Sequence, residues 1–176
     1  MKATTKIKLR SKNFPVIEYT PGDDVWIIEL KREGKKPFSF DVSEELTGDK
    51  QAMTRVASAL DMLDEMEKAA LGYIKSTARD RRHPEHKTVR DYFAFHREEA
   101  EKMTRDGSSQ LFGPEKQPAR YTADHLALER LASALNKERT AQIFLMDFTI
   151  DSFYSNNLLV VLFDNNFTPR SLSMES

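Results

Sequence analysis

The residues best suited to chemistry in this sequence are four histidines and a group of carboxylates near its end. Two of the histidines stand in "HPEH", where His83 and His86 flank Pro84 and Glu85. A metalloprotease helix presents two imidazoles from H-E-x-x-H, one turn apart on a single face, with the acid as base. Pro84 disfavours helix at the residue before it, and the spacing is one residue short, so a solvated basic connector is expected here rather than a metal centre. His96 is different, because it falls on an apolar stripe with Glu99 one turn later. A buried imidazole needs a partner for each nitrogen, and Glu99 or strand backbone can supply one. A hydrogen-bonded core histidine is the expected role, with a metal-binding or acid–base role for His96 and Glu99 as the alternative. His125, near a helix start, reads as surface.

The acids Asp147, Asp151, Asp164 and Glu175 lie close together in sequence, with Arg170 among them. Two carboxylates held near each other can bind a divalent cation or divide acid and base roles between them. Turn chemistry and the protection of sheet edges account for most of the four without a site: Asp147 and Asp151 bound an apolar run, and Asp164 opens a D-N-N turn. The scattered glycines form neither G-x-G-x-x-G nor a Walker loop, and no G-x-S-x-G elbow occurs, so nucleotide and serine hydrolysis are unsupported. The basic groups "KATTKIKLRSK" and "RDRRHPEHK" can touch phosphates, with Tyr73 or Tyr92 near enough in sequence for stacking. A net charge of -1 gives no overall field toward nucleic acid, and solvated surface is the expected reading of both.

The elements that must position these residues change period twice. "FPVIEY" and "VWIIELKREGKKPFSFDV" read as strands, the second a hairpin about Gly34-Lys35-Lys36, with Trp26, Ile28 and Leu30 on one face and Val25, Ile27 and Glu29 on the other. Val56, Leu60, Leu63, Ala70 and Ile74 then recur at helical spacing, predicting one long helix over Asp49 to Ser76. Thr88 with Asp91 predicts the start of a second helix, whose apolar stripe runs Val89, Tyr92, Phe93, His96, Ala100 and Met103. "RDGSSQLFGPEKQPARY" breaks the pattern as a loop or insertion. Thr122, Leu128, Leu131 and Leu135 predict a third helix, and "QIFLMDFTI", "NLLVVLFD" and "FTPRSLSM" predict closing strands, the last two joined at Asp164-Asn165-Asn166.

These segments predict one α+β domain over residues 1–176, with strands over about 14–42, helices over about 49–136 and strands over about 142–175. The architecture expected is an antiparallel sheet of about six strands from both chain ends, covered by about three central helices. At 176 residues, 39% hydrophobic and 31% charged, the chain can bury one core beneath a charged surface. The absence of cysteine excludes disulfides, thiolate zinc and a cysteine nucleophile, and makes a cytoplasmic location the expectation. The basic stretch "MKATTKIKLRSKNF" has no apolar segment after it, and no run approaches the ~20 residues of a membrane span.

Three stretches together carry a resemblance: "FPVIEYTPGDDVWIIELKREGKKPFSFDV", the helix "TVRDYFAFHREE", and the ending "DFTIDSFYSNNLLVVLFDNNFTPRSLSMES". Along nearly its full length the chain resembles the uncharacterised bacterial family catalogued as domain of unknown function 2004, departing from it in "GSSQLFGPEKQPARY" and in the basic first dozen residues. The resemblance implies an order of strands, helices and strands, and brings no activity that transfers residue by residue.

The resulting expectation is a non-enzymatic protein-binding domain without a cofactor, in the form of an immunity-type inhibitor of a bacterial toxin. Its contact residues would come from Leu111 and Phe112 in the insertion and from Asp151, Tyr154 and Asp164 near the acidic end. An enzyme or metal protein built on His96, Glu99 and the C-terminal acids is one alternative, and a nucleic-acid accessory protein is the other.

Overall fold

The computed structural model describes residues 6–105, 122–150 and 156–176, apart from the side chains of residues 26, 27 and 103–105. Strands β1 (Ile7–Leu9) and β2 (Ile17–Tyr19) form a small antiparallel pair that places Leu9 and Ile17 in the core. The main sheet contains β3 (Val25–Leu30), β4 (Phe38–Val42), β5 (Ala127–Leu135), β6 (Gln142–Thr149), β7 (Leu158–Phe163) and β8 (Pro169–Glu175), in that spatial order. The α+β expectation holds, with one change of topology. Every neighbouring pair is antiparallel except β4 and β5, which run parallel. A parallel pair requires a crossover, and the whole helical section serves as that connection.

The crossover holds α1 (Glu44–Thr47), α2 (Lys50–Asp61), α3 (Leu63–Arg79) and α4 (His86–Arg105). Asp49 caps α2 by accepting from the Gln51 and Ala52 amides at 2.7 and 3.2 Å, so the predicted start is met. The predicted single helix is broken once, at Met62, which leaves helical geometry at φ −103° and ψ 17°. The apolar stripe nevertheless runs across the break: Val56, Leu60, Leu63, Met66, Ala70 and Ile74 are all buried in one core with Phe38, Phe40, Phe144, Met146, Phe148 and Phe163. A buried polar tie fastens α2 to the sheet beneath it. Gln142 accepts from Arg55 Nε at 2.6 Å and donates to Ser133 Oγ at 2.9 Å and to the Ala52 carbonyl at 3.2 Å.

Two bulges correct the sequence reading. The third helix expected after Thr122 is a single 3₁₀ turn, Ala123–His125, followed by β5. Leu128 pairs with Phe148 and Arg130 with Asp147, so the extra residue between them puts Leu128 and Leu131 on one face although they are three apart. A bulged strand thereby reproduces helical spacing. In β3, three steps from Val25 to Ile28 oppose two from Val42 to Phe40, which returns Val25 to the core with Leu30 instead of leaving it on the opposite face. The second helix begins at His86 instead of Thr88, and Asp91 pairs with Lys87 and Arg90 instead of closing a capping box. Among the described residues, no helix is long and apolar enough to cross a membrane.

Candidate functional site

Helix α3 ends at Arg79, and a short connector reverses the chain into α4. The "HPEH" stretch is the clamp of that reversal. His83 N donates to the Asp80 carbonyl and His86 N to the His83 carbonyl, each at 3.0 Å. His86 Nδ1 donates to the Thr77 carbonyl at 3.0 Å, tying the first residue of α4 to the last turn of α3. Tyr73 Oη donates to Glu85 at 3.0 Å, and the Tyr73 ring meets His83 edge-on at 5.6 Å between centroids. Both imidazoles are held in place by the fold. Burial, with the Glu85 bond adding to it, pushes the Tyr73 hydroxyl up to about 12.

This clamp sets four arginines around one cleft of about 700 Å³. Arg79 closes α3, Arg81 stands in the connector, and Arg90 and Arg97 lie two turns apart on α4. Val89 and Phe93, from the same helix, give the cleft an apolar wall, with His86 at its helix-start end. The volume falls within the range of about 300–1,000 Å³ usual for ligand sites. Among the described residues the lining contains no carboxylate. Arg90 commits Nε and one terminal nitrogen to Asp91, at 3.3 and 3.1 Å. Among the described residues, no side-chain hydrogen bond or ion pair occupies Arg79, Arg81 or Arg97, although Asp124 lies near enough to feel the charge of Arg79. Arg79 also suits the negative end of the α3 dipole, an ordinary stabilising role. That role does not extend to Arg81, Arg90 and Arg97. Guanidinium groups present planar forks of fixed positive charge that fit phosphate and carboxylate oxygens in pairs, so such a cleft is suited to an anion.

The residues singled out from the sequence occupy other places. His96 is 1% exposed, its Nδ1 donates to the Tyr92 carbonyl at 2.9 Å, and its ring lies 4.2 Å from that of Tyr92. Glu99 pairs with Lys102 at 2.6 Å rather than accepting the Nδ1 proton. Burial holds the His96 pKa below the ordinary imidazole value. The unfolded chain therefore takes up this proton more readily, and the stability that neutral His96 contributes is complete above about pH 6.5 and lost as pH falls below it. Replacing His96 with Ala is expected to cost about 1–3 kcal/mol at pH 7.5 and to flatten the stability loss between pH 7.5 and 5.5, as read by urea denaturation. A variant as stable as wild type at pH 7.5 would contradict the structural role.

Asp147 is 1% exposed and accepts from Arg130 Nε at 2.6 Å, on the sheet face opposite Leu131 and Met146. Arg130 reaches Asp41 at 3.4 Å on its other side. Burial raises the Asp147 carboxyl above its ordinary value, against the pull of Arg130, and the charge of Glu175 adds to the rise. Asp164 organises its turn, accepting from the Asn166 and Thr168 amides at 2.9 and 3.0 Å and from Arg170 Nε at 2.8 Å. Those bonds outweigh burial and hold its pKa below the ordinary value. Glu175 is exposed on β8. Leu111, Phe112, Asp151 and Tyr154 lie outside the described residues. Among the described residues, no three His, Asp or Glu side chains are grouped to hold a metal ion.

The stacking partners expected for the basic connector are also engaged elsewhere. Tyr92 is fully buried, with its hydroxyl between the Phe148 carbonyl and the Ile150 amide, and Tyr73 is held by Glu85. Phe93 takes the position expected for them, beside the arginines. Sequence reading missed the cleft because its arginines come from three segments. The one local signal was Arg90, Phe93 and Arg97 at i, i+3 and i+7, a single helical face. No family model, curated protein or solved structure matches the chain.

Proposed function

We propose that this chain is a non-enzymatic binding domain whose recognition element is the arginine cleft between α3 and α4, and that the group it recognises is anionic. The observation that carries this reading is the convergence of Arg79, Arg81, Arg90 and Arg97 on one cleft, with no carboxylate in its lining among the described residues. Arg90 is already paired with Asp91, but the mutual repulsion of Arg79, Arg81 and Arg97 is relieved when an anion enters, and that relief is available only to a ligand of opposite sign. The non-enzymatic part of the reading is supported by what surrounds the cleft. His86 uses Nδ1 to hold the helix end, and His96 is sealed in the core. The inhibitor role expected from the sequence drew on a different surface, of which Asp164 is committed to its own turn.

Inorganic pyrophosphate is the simplest probe. Calorimetric titration of the full chain is expected to show one saturable site that weakens as salt is raised. The double substitution Arg81→Gln, Arg97→Gln removes two exposed side chains, so melting should be unchanged within about 0.5 kcal/mol. Loss of two charge-assisted contacts at about 1.5–3 kcal/mol each should abolish measurable binding. Wild-type protein that binds no pyrophosphate at low salt, or a double variant that binds it equally well, would overturn the reading.

A further inference from the structure

The shape of the cleft narrows the class of anion. Arg90 and Arg97 are seven residues apart on α4, which sets their backbones about 10 Å apart along the helix axis, and Arg79 and Arg81 approach from the facing segment. A lone phosphate cannot bridge that length. A chain of linked phosphates can, meeting successive guanidinium forks as it goes. Phe93, half-buried, stands within the same lining together with buried Val89. An aromatic ring with an aliphatic neighbour beside a row of cations offers a planar group a surface to stack on. An extended nucleic acid fits less well, because the net charge is -1 and the basic lining is confined to one cleft, with Glu98, Glu99 and Glu101 following Arg97 on α4.

We propose that the cleft takes a nucleoside di- or triphosphate, its phosphates on the four arginines and its base on Phe93, bound without a metal ion. The inference rests on the anion-binding reading above. Metal independence follows from the lining: among the described residues no carboxylate lines the cleft to carry Mg²⁺, and the arginines supply the positive charge that the cation otherwise brings.

The experiment titrates full-length protein with ATP, ADP, AMP, adenosine and inorganic tripolyphosphate, each in EDTA and again with Mg²⁺. ATP is expected to bind in EDTA, with affinity falling from ATP to ADP to AMP and adenosine not binding. Tripolyphosphate should bind about tenfold more weakly than ATP, the part due to stacking. Phe93→Leu keeps an apolar side chain against Tyr92, whose ring lies 5.5 Å away, and should lower ATP affinity about tenfold while leaving tripolyphosphate unchanged. Tripolyphosphate binding as tightly as ATP, with Phe93→Leu silent, would overturn the nucleotide inference and leave the anion reading standing. So would an absolute need for Mg²⁺, or binding of a phosphorylated peptide but not of ATP. Failure of every anion to bind would remove both.

Discussion

A chain lacking residues 158–176 is expected to be insoluble, or to lack a cooperative melt. Strand β7 is an interior strand, hydrogen-bonded to β6 on one side and β8 on the other. Deleting the pair removes Leu159, Val161 and Phe163, each 0% exposed, and Leu172 at 5%. Four such side chains at about 1.5–3 kcal/mol each amount to about 6–12 kcal/mol, against a total stability of about 5–15 kcal/mol for an ordinary domain. The loss also strips the floor from α3 and exposes β6 as an unpaired apolar edge, a template for aggregation. Circular dichroism melts of the two chains decide the matter. A soluble truncated protein that melts like full-length protein would show the hairpin to be an appendage.

The second large effect is expected at Arg130. Its Nε holds Asp147 at 2.6 Å, and the Asp147 side chain is 2% exposed while that of Arg130 is 38% exposed. Removing one partner of a fully buried pair costs about 3–5 kcal/mol, because a charge is left without compensation. The partial exposure of Arg130 lets water into the gap, so about 2–4 kcal/mol is expected for Arg130→Ala at pH 7. The sign of its pH dependence follows from Asp147. Burial already raises this carboxyl, so its contribution to stability is greatest in acid and is lost as pH rises through the folded pKa. Without Arg130 the carboxyl rises further, and the deficit of the variant should shrink toward pH 4 and widen toward pH 7. Guanidinium denaturation at the two pH values reads this directly. A deficit that is flat with pH, or absent at pH 7, would show that the pair contributes nothing.

Much of the architecture was legible where one local rule acted alone. The helix start at Asp49, the Val56 to Ile74 stripe and the Asp164 turn each follow from a few neighbouring residues whose chemistry permits little else. Strand β5 was not legible, since a bulge between Leu128 and Arg130 gave an extended segment the spacing of a helix. Nor was the parallel junction of β4 with β5, which is decided by packing across the crossover instead of by either strand. The site was harder still. His96 could be read as a core residue because its stripe was periodic, but its Nδ1 bonds to its own helix at the Tyr92 carbonyl, while Glu99 pairs with Lys102. The arginine cleft joins the end of one helix, a connector and two turns of another, and no window of sequence contains the whole of it.

The guanidinium groups themselves report whether an anion occupies the cleft. Arginine-selective NMR spectra of isotope-labelled protein, with the resonances assigned by single Arg→Lys substitutions, would be followed as inorganic pyrophosphate is added at constant ionic strength. The side-chain signals of Arg79, Arg81, Arg90 and Arg97 should shift together along one saturation curve, while that of Arg130, on the sheet, stays in place. Four signals that do not move, or that drift without saturating in step with every other arginine, would contradict an anion site at this cleft.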